Sequence, residues 1–280
     1  MSAIKKAIKF VFDVLKGVLE DNIAAYSAHV AFFVTISFIP FIMLLISLLQ
    51  YLPFTRAELT AQLIQAFPQA ARSFVASFVD EAYQKSGATV ISIAAVSALW
   101  ASSIGVYALM NGLNRVYRTD ETRGYISLRV VSMIYTLFLI ILLCLCLGIF
   151  VFGNTITEML GRSLPKVFGA ALVVMSVRKM AGILVLGVFF LIMFRFVPNR
   201  KTHALLQAPG ALISAAGWII FSYVFSYYYE HMANYSYLYG SLSVLVFFML
   251  WLFFCIYILF IGAEINRCIE ERVELRSLMR

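Results

Sequence analysis

Few side chains in this 280-residue chain could do chemistry, and they sit within or at the ends of long apolar runs. In "ILFIGAEINRCIEER", residues 258–272, Glu264 is the first charged residue since Glu230. Arg267 follows it at the i,i+3 spacing of a helical ion pair, with Asn266 between them. His29 interrupts another run, and Asn111, Asn114 and Arg115 close a third, with Trp100, Ser102 and Ser103 nearer its middle. Ionisable and amide side chains inside apolar spans are costly, face the interior or water, and mark substrate or ion pathways. The chemistry they suit is the binding of a polar group. For His29 the alternative is a neutral imidazole hydrogen-bonded to a neighbouring span. For Glu264 it is an ion pair that marks where the span meets water, against a gate built from Glu264 and Asn266 with Asn114 and Arg115.

Catalytic patterns are a poor match. Metal-assisted phosphodiester cleavage needs two or more carboxylates or histidines converging on cations about 4 Å apart. His29, His203 and His231 lie on different segments without H-x-E or H-E-x-x-H spacing. Asp120 and Glu121 are the only adjacent acids of the 115–129 loop. Glu270, Glu271 and Glu274 alternate with Arg267, Arg272 and Arg276, which reads as a solvated, salt-bridged helix end. The cysteines at 144, 146, 255 and 268 have no ligand spacing and read as small apolar side chains. No catalytic residue, metal site or cofactor is expected, and an enzyme is not.

The elements that position these residues follow from composition. Hydrophobic residues make up 62% and charged residues 13% of the chain, with a mean hydropathy of +0.91; a soluble domain is roughly a quarter charged. No charge falls between Asp21 and Arg56, Lys85 and Arg115, Arg129 and Glu158, Lys201 and Glu230, or Glu230 and Glu264. Each gap exceeds the roughly 20 residues that cross a hydrocarbon core. A further segment, 180–197, has 15 uncharged residues before Arg195, which can snorkel, and Pro198 stops it. The expectation is an all-α polytopic membrane bundle of six spans, at about 24–49, 88–112, 130–152, 180–197, 205–229 and 239–263, forming one domain over 1–280. No cleavable signal peptide is expected at the start. Ile4, Ile8, Val11, Leu15 and Val18 instead predict an amphipathic helix on the membrane surface. "RSFVASFVDEAYQKS" (72–86) predicts a helix within the first outer loop.

Basic residues set the orientation. The N-terminal segment, 115–129, 195–203 and the C-terminal tail carry four, four, three and four Lys plus Arg, fifteen of the chain's 22. The positive-inside rule places those four segments and both termini in the cytoplasm. The net charge of +8 is thereby a consequence of topology, with anionic lipid as partner and no nucleic acid. Tyr223, Tyr227, Tyr228, Tyr229, Tyr235, Tyr237 and Tyr239 form an aromatic girdle at the opposite interface.

Rows of small residues predict close helix contacts: Ser27, Ala31 and Thr35; Ser97, Ala101 and Gly105; Gly210 and Ser214 with Ala211 and Ala215. Pro40 and Pro209 lie inside spans and are hinge candidates.

Four stretches resemble the YihY/BrkB family of integral membrane proteins, formerly labelled ribonuclease BN-like. They are "AHVAFFVTISFIPFIMLL" (28–45), "SALWASSIGVYALMNGLNRVY" (97–117), "VPNRKTHALLQAPGALISAAGW" (197–218) and "YSYLYGSLSVLVFFMLWLFFCIYILFIGAEIN" (235–266). One departure is Ile104, where many relatives have a basic residue between Ser103 and Gly105. The resemblance implies six spans, a bacterial inner-membrane address and transport of a lipid-like or amphiphilic solute. A non-transporting scaffold is the alternative. For transport, spans 1, 2 and 6 are expected to enclose a cytoplasm-facing cavity with His29, Asn111 and Asn114 near its wall.

Overall fold

The structure, a computed structural model, describes residues 3–49, 88–150, 178–200, 202–231 and 242–278, with isolated positions between 57 and 80. Among the described residues the chain forms seven helices: α1 (Ala3–Glu20), α2 (Ile23–Leu49), α3 (Ala88–Val116), α4 (Tyr125–Phe150), α5 (Arg178–Phe196), α6 (Ala204–His231) and α7 (Leu242–Leu278). Ala95–Val116, Ala204–Tyr229 and Leu245–Val273 are long and apolar enough to cross a membrane, while Ile23–Phe38, Tyr125–Ile141 and Leu184–Phe196 are shorter apolar stretches. The described positions between 57 and 80 are helical, and Val79 there is buried. The rest of that loop, 153–177, and Tyr235, Tyr237 and Tyr239 lie outside the described residues.

α7 is the hub, touching α1, α2, α3 and α6; α4 packs on α3 and α5 on α6. It does not stop where the apolar run does but continues through Glu264 to Leu278. Leu252, Cys255, Ile256, Leu259, Phe260 and Ala263 are all buried along it. Apolar side chains gain little by leaving lipid for one another, so close backbone approach must supply the packing energy. Gly210 and Gly262 provide it between α6 and α7: a Cβ on Gly262 would lie 2.6 Å from the Gly210 carbonyl oxygen, and one on Gly210 would strike Gly262 O. Ser214, Ala211 and Ala215 are buried beside them.

The most extensive contact joins α2 and α3. Ser27, Ala31 and Thr35 of α2 are all buried. The two hydroxyls donate to carbonyls four residues back, Ser27 to Ile23 O (2.8 Å) and Thr35 to Ala31 O (2.7 Å), so neither needs a partner across the interface. Gly105 faces Val34, and Gly112 faces Tyr26 and Phe260. The expected row on α3 is only partly engaged: Gly105 is buried, Ala101 half-buried and Ser97 exposed. A four-residue step overshoots one turn by roughly 40°, so a three-member row rotates out of a single contact. The row on α2 stays covered because α2 also meets α7.

α1 has three faces. Val14, Gly17 and Val18 are buried against the bundle, Lys5, Lys9 and Lys16 are exposed, and Ile8, Val11, Phe12, Leu15 and Leu19 form an exposed apolar stripe. Val18, expected on the membrane side, belongs to the packed face. The helix ends where Asn22 takes a left-handed φ of 51°, with Asp21 N–H donating to Gly17 O at 2.9 Å. Asn tolerates that conformation, and the chain turns there into α2. Helix α2 runs through Pro40 and α6 through Pro209.

Gly210→Ala is expected to lower the melting temperature in detergent clearly, by overpacking worth about 1–3 kcal/mol. Gly124, where an added Cβ would meet nothing within 4 Å, is the control: Gly124→Ala should leave the transition within error.

Candidate functional site

The C-terminal end of α1, the α3–α4 loop, the α5–α6 loop and the last turns of α7 meet at one end of the bundle. They are the four segments whose basic residues place them on a common side, and the meeting is made of specific bonds. Arg115 pairs with Asp21 (3.4 Å), Arg118 with Glu20 and Glu271 (3.9 Å each), Arg200 with Glu270 (2.5 Å) and Arg272 with Asp13 (3.1 Å).

At the centre Glu264 is 0% exposed. A carboxylate so placed must be paired, since an isolated buried charge costs several kcal/mol or more. Both its oxygens accept from Arg267, Nε at 3.0 Å and Nη2 on the other, and Arg267 Nη1 also reaches Glu271 (2.5 Å). Gly17 of α1 lies directly on the pair: a Cβ there would strike Glu264 Oε1. Asp21, one turn on, is buried with one oxygen unbonded. Burial pushes its carboxyl above the usual range, opposed by Arg118, Arg267 and Arg115.

A second group joins α3, α6 and α7. Tyr117 donates to Gln207 Oε1 (2.8 Å), Gln207 donates to Glu270 (2.5 Å), and the Arg200 guanidinium sits 3.5 Å over the Tyr117 ring. Burial raises the Tyr117 phenol well above its ordinary value. Asn266 accepts the Gly210 N–H (2.7 Å) and donates to Gln207 O (3.1 Å). It thus holds the α6 backbone on both sides of Pro209, where a missing N–H would otherwise weaken the helix.

The third group joins the loops. Asn114 accepts the Asn199 N–H (2.8 Å) and donates to Glu121 (2.6 Å), and Arg123 grips both Glu121 oxygens at 2.8 Å. The Arg123 hydrogen bonds hold the Glu121 carboxyl below its usual value.

Of the residues singled out from sequence, Asn114, Arg115, Glu264 and Asn266 come together at this end. Asn114, Arg115 and Asn266 bond to neighbouring segments and Glu264 to Arg267 of its own helix, rather than standing open around a mouth. Asn111 is half-buried one turn before Arg115. His29 lies apart, exposed on α2 with its ring 5.1 Å from Phe33. Ser103 is buried and donates to Trp100 O, while Trp100 is exposed beneath Arg129. The C-terminal charges are not simply solvated: Glu270 and Arg272 pair with other segments. Asp21, Tyr117, Arg118, Glu121, Asn199, Arg200 and Gln207 carry much of the network without a local sequence signal.

A bundle of long apolar helices, packed through small residues and tied at one end by ion pairs, defines a multi-pass integral membrane protein. Residues 14–279 match the family described as Virulence factor BrkB, and the chain belongs to that family. It is similar to the ribonuclease-like protein YfkH of Bacillus subtilis, 31% identical over 253 residues, covering 89% of this chain and 90% of the relative. UPF0761 membrane proteins are similar too: that of Alteromonas mediterranea is 25% identical, covering 93% and 87%, and that of Histophilus somni 23%, covering 99% and 95%. No solved structure matches the chain.

Arg267→Ala should destabilise the protein by about 3–5 kcal/mol, because Glu264 is left charged and unpaired. Glu264→Gln combined with Arg267→Met should recover most of that loss in the same thermal assay. Glu121 tests the loop junction by pH. Its folded pKa is lowered, so its stabilisation is present above the ordinary carboxyl value of 4.5 and lost as pH falls through the folded value. Glu121→Gln should therefore flatten the acid-side fall in melting temperature.

Proposed function

We propose that this protein is a bacterial inner-membrane transporter of a lipid-like or amphiphilic solute, with both termini cytoplasmic. On this reading the ion-paired end is its closed inner gate. The observation that carries it is the composition of that end: α1, both loops and α7 are joined there by charge pairs, most of them partly exposed. Such pairs contribute little net stability against apolar packing and break and re-form readily, which suits a boundary between states. Fifteen of 22 basic residues on the four segments that meet there support the orientation. The exposed stripe of α1, flanked by Lys5, Lys9 and Lys16, fits a helix lying in the interface on anionic lipid. Pro40 and Pro209 are its hinge candidates, and His29, Asn111 and Trp100 its candidate contacts for solute outside the gate.

The name of YfkH raises ribonuclease activity. In this chain Glu264, Glu121 and Glu270 are each taken up by an arginine, which leaves their oxygens turned away from any shared cation, and those arginines face carboxylates in turn. A membrane scaffold is the reading favoured by a different observation: Asn114, Asn266, Ser27 and Thr35 have satisfied partners, and the α2–α3 contact is closely packed.

Two measurements test the proposal. Proteoliposomes containing the protein should move fluorescently labelled phosphatidylglycerol between leaflets faster than protein-free vesicles, read by dithionite quenching; movement at the protein-free rate favours the scaffold. For orientation, Asp120→Cys in a background without the native cysteines should react with an impermeant maleimide only after cells are permeabilised, and Ala70→Cys in intact cells. The reverse pattern inverts the topology.

A further inference from the structure

We propose that Arg129 and Trp100 form a binding site for the phosphate of an anionic phospholipid, on the surface where α4 meets α3. Arg129 lies in the apolar stretch Tyr125–Ile141 and Trp100 in Ala95–Val116. The guanidinium carbon stands 4.5 Å from the centre of the indole ring, a cation–π contact that aims the charge across an aromatic face. Trp100 is 56% exposed, so the pair is open to the surroundings.

The arginine differs from those of the ion-paired end. Arg115, Arg118, Arg123, Arg200, Arg267 and Arg272 each face a carboxylate. Arg129 makes no ion pair among the described residues, and its Nε is buried without a hydrogen-bond acceptor. The indole offsets part of the cost of that cation but supplies no acceptor for its five N–H donors. A phosphate does, because two of its oxygens match the guanidinium fork.

The flanks say which phosphate. Ile126, Val130 and Ile134 on α4, with Ile93 and Val96 on α3, are exposed apolar side chains. Ile104, one turn from Trp100, adds a half-buried one. A cation set among apolar side chains on a membrane-facing surface fits an amphiphile whose head is anionic and whose tails run along the helices. A soluble phosphate would leave those flanks unused. The site concerns lipid occupancy, and it stands whether or not the bundle transports.

The test uses the full chain, delipidated in detergent and titrated with phosphatidylglycerol, with bound lipid counted by native mass spectrometry. Wild type is expected to retain phosphatidylglycerol, and Arg129→Gln to lose about tenfold in affinity, the worth of charge-assisted hydrogen bonds. Trp100→Ala should weaken binding in the same direction, and Arg129→Lys should restore part of it, which separates loss of charge from loss of fold. Arg272→Gln, altered at the ion-paired end, should bind as wild type. Diacylglycerol with the same chains should not compete. Equal retention by Arg129→Gln, or equal binding of diacylglycerol, overturns the proposal. Displacement of the lipid by inorganic phosphate alone overturns the lipid assignment in favour of a soluble phosphate.

Discussion

The buried carboxylate of Glu264 constrains everything around it. It sits on the hub helix where α1, α3 and α7 converge, with no exposure to water. Arg267, one turn along, is the counter-charge within reach, and the fork of its guanidinium satisfies both oxygens. That pair still has to be covered, and α1 covers it with Gly17, the position where a side chain would collide with the carboxylate. Continuing α1 past Gly17 brings Asp21 within 3.4 Å of Arg115 and Glu20 within 3.9 Å of Arg118. One paired charge thus sets where α1 docks, where it ends and how the α3–α4 loop meets it. The pair need not add net stability to do this, since desolvation roughly cancels the attraction. What it does is restrict how α1 can dock, because only a glycine can pass this close without striking the carboxylate.

Away from that end, the bundle solves a different problem. Backbones must approach closely, and polar atoms must be satisfied without water. Gly210 against Gly262, and Gly105 and Gly112 against α2, meet the first requirement. Ser27, Thr35, Ser132 and Thr136 meet the second by donating to the carbonyl four residues back. Trp251 does it across helices, giving its indole N–H to Ser222 at 3.1 Å. Asn266 joins the two solutions: it sits one turn from Gly262, where the backbones are closest, and its short amide can reach Gly210 N and Gln207 O only because they are so close.

The features legible in the sequence are those carried by local spacing. Charge-free runs mark the helices, i,i+3 spacing marks Glu264 with Arg267, and small residues at four-residue steps mark the α2 and α6 contacts. The basic-residue count groups the four segments that meet. Long-range partners leave no such trace. Nothing in spacing pairs Arg200 with Glu270, Tyr117 with Gln207 or Asn114 with Asn199, because many basic and acidic residues compete and only the fold selects among them. Gly17 is hidden for another reason: inside an amphipathic helix a glycine reads as neutral, and its role appears only once the opposing side chain is known. His29 departs from expectation because an imidazole in an apolar run should turn inward, whereas the small residues Ser27 and Ala31 take the inward face of α2.

The distribution of arginines ties these parts together. Where four segments must be held in register, arginines are matched to acids. Matching consumes their charge locally, so the paired end presents little free cation to a solute or a polyanion. Arg129 stands outside that arrangement, on a surface made of apolar side chains, with an indole in place of a carboxylate. An acid there would neutralise it but would add a second buried charge to be desolvated. An indole holds the guanidinium in place without neutralising it, and so leaves it able to accept an anion from outside the protein.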